Sequence, residues 1–180
     1  DLDVDILYYK GSAEEKAGLY DDEIQTYTLL AEQDSSDSNA YNHRGFAYGK
    51  LHQFDKGLAD YDKAISLEKR NYNHYLGKYF LLMDADRAEE AYKVLEKAAA
   101  IKIKTEEDKF NLAKVHYYME EYDLAINEFS KACENGFEES YYYLGNIYEM
   151  RKDYEEAVSY YKKYMEAEQV SKTALVYNQI

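Results

Sequence analysis

Tyr141-Tyr142-Tyr143-Leu144-Gly145-Asn146-Ile147-Tyr148, then Asp153-Tyr154-Glu155-Glu156-Ala157-Val158 and Tyr160-Tyr161: this stretch decides the fold. It holds two helical phrases joined by a short polar turn. Gly145 and Ala157 stand twelve residues apart, one on each phrase. Small residues at those two points let two helix backbones approach. The tyrosines, each with a large apolar body and a polar tip, fill the space around them.

The pattern recurs along the chain. The second phrase returns as Gly18-Leu19-Tyr20-Asp21-Asp22-Glu23-Ile24, Gln53-Phe54-Asp55-Lys56-Gly57-Leu58, Arg87-Ala88-Glu89-Glu90-Ala91-Tyr92 and Glu121-Tyr122-Asp123-Leu124-Ala125-Ile126. Its small-residue slot is therefore Glu23, Gly57, Ala91, Ala125 and Ala157, in steps of 34, 34, 34 and 32. Four residues on come Tyr27, Tyr61, Leu95, Phe129 and Tyr161; three more bring Leu30, Ala64, Ala98, Ala132 and Tyr164. That spacing is one face of a helix. The first phrases align through Gly11, Gly45, Ala113 and Gly145, each twelve residues before its slot.

A helix-turn-helix of period 34, with Gly or Ala in the first helix and an aromatic opening the second, resembles the tetratricopeptide repeat. The resemblance runs from about Val4 to Ala167 in five copies, at roughly 4–37, 38–71, 72–105, 106–137 and 138–170. It implies an all-α fold, a right-handed superhelical α-solenoid, with first helices lining a concave groove. No copy buries its apolar face alone; stacking does it. The sequence departs from the family in places. There is no Pro, so helix ends must rest on Asp34–Asp37, Lys69–Asn71 and Asn135-Gly136. In the third copy two registers are open. A 34-residue step puts Tyr79 in the Gly slot; using Gly77 instead adds two residues to the turn near Met83–Asp86. The link between the fourth and fifth copies is two residues short and contains Gly136, like a Sel1-type repeat. Residues 171–180 read as the start of a truncated sixth repeat or a capping helix, so the natural protein is expected to continue.

Composition bounds the function. The chain has 180 residues, 23 Tyr, 6 Phe, no Trp and 8 Gly, and a net charge of −14. Residues 1–37 carry 11 acids against 2 bases, 38–105 carry 9 against 12, and 106–180 carry 16 against 8. Such a surface repels phosphate backbones, so no nucleic-acid partner is expected. Cys133 is alone, which rules out a disulfide framework and cysteine-rich zinc sites. No apolar run reaches the ~18 residues of a membrane span, so no membrane insertion is expected of this stretch. The acidic start Asp1-Leu2-Asp3 is not a signal peptide. The compartment stays open between a cytoplasmic protein and an exported one whose signal or anchor has been removed.

In the family the groove is lined by fixed positions of each copy. Carried over, they give the candidate peptide-binding residues Tyr8, Tyr9, Asn42, His43, Phe46, Asn111, Lys114, Tyr142, Tyr143 and Asn146. Glu15, Gly49 and Lys50 fall on the same positions, and the third copy offers either Phe80 and Met83 or His74, Tyr75 and Lys78, depending on its register. Asn can hold a peptide backbone by donating and accepting at once, and Tyr gives rigid contact area. The alternative is that these aromatics merely pack helices together. A carboxylate clamp is not expected, since the matching positions hold Tyr8, Ser12 and His43. His43 and His74 could approach each other, but no third ligand is evident, so no metal and no cofactor is expected. There is no phosphate loop, nucleophile elbow or triad, and no enzymatic activity is expected. The leading expectation is an interaction scaffold for a protein or peptide segment. Its alternatives are a structural spacer or assembly subunit that self-associates, or the interaction region of an exported, lipid-anchored bacterial protein.

Overall fold

A computed structural model describes residues 3–177, with side chains described through 169. Its described residues form ten helices and no strand: α1 (Val4–Ala17), α2 (Tyr20–Gln33), α3 (Ser38–Lys50), α4 (Phe54–Leu67), α5 (Tyr72–Asp84), α6 (Ala88–Ala99), α7 (Glu106–Tyr118), α8 (Tyr122–Glu134), α9 (Glu139–Met150) and α10 (Tyr154–Tyr177). The chain divides into two compact units, residues 1–101 and 102–180. Each is a helical-repeat stack.

In the first unit each helix packs against the next, from α1 through α6, and α3 also meets α5. Tyr27, Leu30, Ala31 and Ala40 bury around Leu7. Glycine makes the close approaches possible. A Cβ on Gly45 would sit 3.1 Å from the Gly57 carbonyl, and one on Gly57 would sit 2.8 Å from the Gly45 carbonyl. Leu81 of α5 lodges against Gly57 and Gly49: added Cβ atoms there would lie 2.7 and 2.6 Å from its methyls.

The third pair settles its register. Only Ala85–Arg87 separate α5 from α6, the same length of turn as between α3 and α4. Tyr79 therefore takes the glycine slot, buried at 8% exposure, and the position sixteen residues on holds the buried Leu95 rather than an aromatic. Gly77 has a separate use, since a Cβ there would run into the Tyr61 ring of the preceding pair.

The second unit is built from α7 to α10. Phe110, Phe129, Tyr143, Leu144 and Ile147 form its core with Ala113, Ala125 and Ala132. Tyr143 stacks on Phe129, with centroids 4.8 Å apart and planes 3° from parallel. The short link after α8 turns on Gly136, which has φ of +84°.

The helix starts are capped where the sequence supplies acceptors. Asp37 accepts from the Asn39 and Ala40 amides, and Asn71 from that of Asn73. Thr105 and Asp108 form a reciprocal capping box. The turn inside each pair is a Schellman motif. The amides of Leu19, Gln53, Arg87, Glu121 and Asp153 donate back to the carbonyls of Glu14, Tyr48, Leu82, His116 and Tyr148 at 2.8 to 2.9 Å. The residue before each of these amides is left-handed: Gly18, His52, Asp86, Glu120 and Lys152. Beyond the fifth pair, α10 runs to Tyr177 without a turn, so residues 171–177 prolong it and begin no separate helix. From Tyr154 to Tyr177 the sequence offers no Gly, Pro or Asn to stop it. The rest of that expected segment, 178–180, lies outside the described residues.

Candidate peptide-binding faces

In the first unit the candidates lie along the first helices. Tyr8 on α1 and His43 on α3 meet edge to face at 6.4 Å. The Tyr8 hydroxyl donates to Asp37 Oδ2 at 2.7 Å, and burial with that neighbouring carboxylate raises its pKa. His43 also stacks on Tyr27 at 4.8 Å, and burial lowers its pKa. Asn42 Oδ1 lies 3.0 Å from His74 Nδ1. Tyr9 is 79% exposed. His74 is fully buried and faces Asn42 and Glu68.

Phe46, one turn beyond Asn42 and His43, lines a true cleft. Between α3 and α5 a cavity of about 290 Å³ is bounded by Phe46, Gly49, Lys50, Phe80, Leu81 and Asp84, with Tyr61 and Gly77 beneath. Its walls are mostly apolar. Phe80 is exposed, and the Lys50 ammonium lies over the Phe46 ring at 4.9 Å from its centroid. One cation and one carboxylate thus flank two aromatic rings. Leu81, Asp84 and Tyr61 were not legible as lining from sequence, because the cleft depends on the register of α5.

In the second unit the candidates separate. Tyr143 belongs to the core, buried at 8% exposure, and is a packing residue. Its neighbour Tyr142 is exposed, with Tyr161 and Tyr164 rings 6.2 and 5.7 Å away. The Tyr161 hydroxyl lies 2.7 Å from both Asn146 Oδ1 and Glu149 Oε2. The Lys114 ammonium sits over Phe110 at 5.1 Å, and burial lowers its pKa against the opposing pull of Glu139 and Glu107. Asn111 is half-buried on the same helix. Cys133, half-buried, has its thiol pushed up to about 11 by burial, so it packs as a small apolar group.

One residue was conspicuous in sequence, but its role was not. Glu23 fills the slot held elsewhere by Gly or Ala. It is 0% exposed, and neither carboxylate oxygen has a hydrogen-bond partner. Burial, with Glu15 and Glu14 nearby, pushes it up to about 8. No helix among the described residues is long and apolar enough to cross a membrane.

Comparison with known proteins bears on this arrangement. Two tetratricopeptide repeat models match the chain, over residues 38–71 and 110–169, together just over half of it. No curated protein sequence matches it. Among solved structures, a crystal structure of MamA aligns with a TM-score of 0.52 at 23% identity, covering 91% of this chain and 96% of that one. TTC0263, a thermophilic TPR protein in Thermus thermophilus, aligns at 0.57 and 19%, covering 91% and 82%. The first TPR of Spaghetti (RPAP3), bound to HSP90 peptide SRMEEVD, aligns at 0.51 and 24%, covering 64% and 94%. At these identities the likeness is one of fold. With two repeat models matched and ten helices among the described residues, the chain belongs to the tetratricopeptide repeat family.

Proposed function

We propose that this protein binds an extended peptide along the first helices of its first unit, seating an apolar or aromatic side chain in the cleft between α3 and α5. At the coarser level it is a protein-interaction scaffold of the tetratricopeptide class, and it is read as a binding protein rather than an enzyme. The cleft itself is the supporting observation: a cavity of about 290 Å³ walled by Phe46 and Phe80, with Lys50 and Asp84 at its rim. Aromatic anchors in a partly enclosed apolar pocket are where binding energy concentrates. Lys50 and Asp84 supply one charge of each sign to orient a peptide. The neighbour bound to an HSP90 peptide supports a peptide as the ligand. It does not transfer a carboxylate clamp, because Tyr8, Ser12 and His43 stand at the clamp positions.

The test is a screen of fluorescent peptides by anisotropy, followed by Phe46→Ala and Phe80→Ala variants whose helicity is checked by circular dichroism. Each should weaken binding about tenfold or more, the ~1.4 kcal/mol of a modest hot spot. Unchanged affinity in folded variants defeats the cleft reading. A second reading, self-association, draws on Ile6 and Tyr9, which are 60% and 79% exposed one turn apart on α1. Light scattering that rises with concentration, and falls in Ile6→Glu, would favour it.

A further inference from the structure

Glu15 of α1, Glu23 of α2 and His43 of α3 each present one potential ligand atom, and these three atoms lie within 4.8 Å of one another. The grouping brings together three consecutive helices of the first unit. Two of its members are accessible: the His43 and Glu15 side chains are 38% and 37% exposed, with Nδ1 and Oε2 3.8 Å apart. The third is Glu23, wholly buried with both oxygens unpartnered. Nearby protein groups do not supply its partner. Lys10 is engaged by Glu14 at 2.7 Å and by Thr26 at 2.6 Å, and Thr26 in turn donates to Glu14 at 2.7 Å.

A buried carboxylate without a partner is costly, and such groups are ordinarily paired or coordinate a metal. Here the carboxylate stands in a slot that Gly57, Ala91, Ala125 and Ala157 fill with nothing polar. We propose that Glu15, Glu23 and His43 bind a divalent transition-metal cation of the zinc class. One imidazole and two carboxylates suit such an ion, whereas magnesium and calcium favour all-oxygen shells. Metal–ligand bonds of about 2.0–2.2 Å require ligand atoms somewhat closer than the widest pair here, a shift that the half-exposed Glu15 can make by changing rotamer. The imidazole is already oriented, stacked flat on Tyr27 and braced by the Tyr8 edge. The open side leaves room for water as a remaining ligand. The cation would clamp α1, α2 and α3 together. This site does not depend on the peptide-binding reading, since neither Phe46 nor Phe80 belongs to it.

The experiment uses the whole chain, stripped by a chelator, and titrates Zn²⁺ alone by calorimetry and by competition with a chromogenic chelator. One equivalent should bind saturably and raise the melting temperature. Glu23→Gln, which keeps the side chain's shape, and His43→Asn should each weaken Zn²⁺ binding by at least about tenfold. Glu23→Ala, restoring the small residue of the other copies, provides a folded control for the same loss. His52→Asn, in a turn away from the site, should bind as the wild type does. Absence of saturable binding at one equivalent, wild-type affinity in either Glu23→Gln or His43→Asn, or an equal loss in His52→Asn overturns the assignment.

Discussion

Gly145→Ala should destabilise the second unit, although alanine is the better helix former. The added Cβ would lie 2.5 Å from Tyr161 Cε1, 2.6 Å from Cδ1 and 3.0 Å from Cζ. Carbon atoms prefer about 3.5–4.0 Å, so the ring must withdraw by about 1 Å. Its hydroxyl then leaves Asn146 and Glu149, both 2.7 Å away. A single hydroxyl proton serves one of them at a time, so the lost bond costs about 1–1.5 kcal/mol. Overpacking adds about 1–3 kcal/mol, and the helix propensity of alanine returns about 1 kcal/mol. The net loss is about 1–3 kcal/mol. Urea unfolding followed by circular dichroism reads it, with amide exchange across α9 and α10 as the local readout. The cycle with Tyr161→Ala decides the cause. Without the ring, Gly145→Ala should become stabilising by about 1 kcal/mol, since only the propensity term survives. If Gly145→Ala is neutral in the wild type, or equally harmful without Tyr161, the close approach is not what the glycine provides.

Two further outcomes follow from charges held against the packing. Arg44 grips Asp60 with Nε and Nη2, both at 2.7 Å, and reaches Thr28 at 3.1 Å. Removing only the cation leaves Asp60 buried at 7% exposure, so Arg44→Ala should cost about 3 kcal/mol in urea unfolding, while the joint change Arg44→Met with Asp60→Leu should cost far less. Burial lowers the Lys114 pKa, so its charge is disfavoured in the folded chain at neutral pH. As pH rises toward the ordinary lysine value of about 10.4, the folded chain loses that proton first and the penalty fades. Lys114→Met should therefore stabilise at pH 7, with the advantage shrinking as pH climbs; an advantage that grows with pH would contradict the sign.

The periodic part of the fold was legible because Gly11, Gly45 and Gly145 each precede an aromatic by sixteen residues, and the geometry between them is local. Tyr79 obscured the third copy. Sixteen residues on, where the other copies carry Tyr27, Tyr61, Phe129 and Tyr161, the third copy carries the smaller Leu95, a change that a slot-by-slot reading does not weigh. Phe46 could be placed on a face of its helix from the repeat position alone, whereas its meeting with Phe80 and Leu81 across the cleft depends on the register of α5. Tyr143, one position from the exposed Tyr142, is buried in the core, and because a helix face is broad the repeat position alone does not separate the two. Its stack on Phe129 decides on which side it falls. Glu23 stood out as a wrong residue in a small slot, but its meeting with Glu15 and His43 needs three helices at once.

The left-handed residue of each hairpin carries a consequence for how the array could come apart. Gly18 adopts that conformation freely, while His52, Asp86, Glu120 and Lys152 hold φ of 54° to 63° with a Cβ in place. Each of those four stores about 1–2 kcal/mol of backbone strain, and the helix pair on either side bears it. The choice of residue at this one turn position therefore sets the tension of its own hairpin and leaves the binding face and the packing seam untouched. Evolution, or an engineer, could grade the hairpins one by one and so choose which frays first.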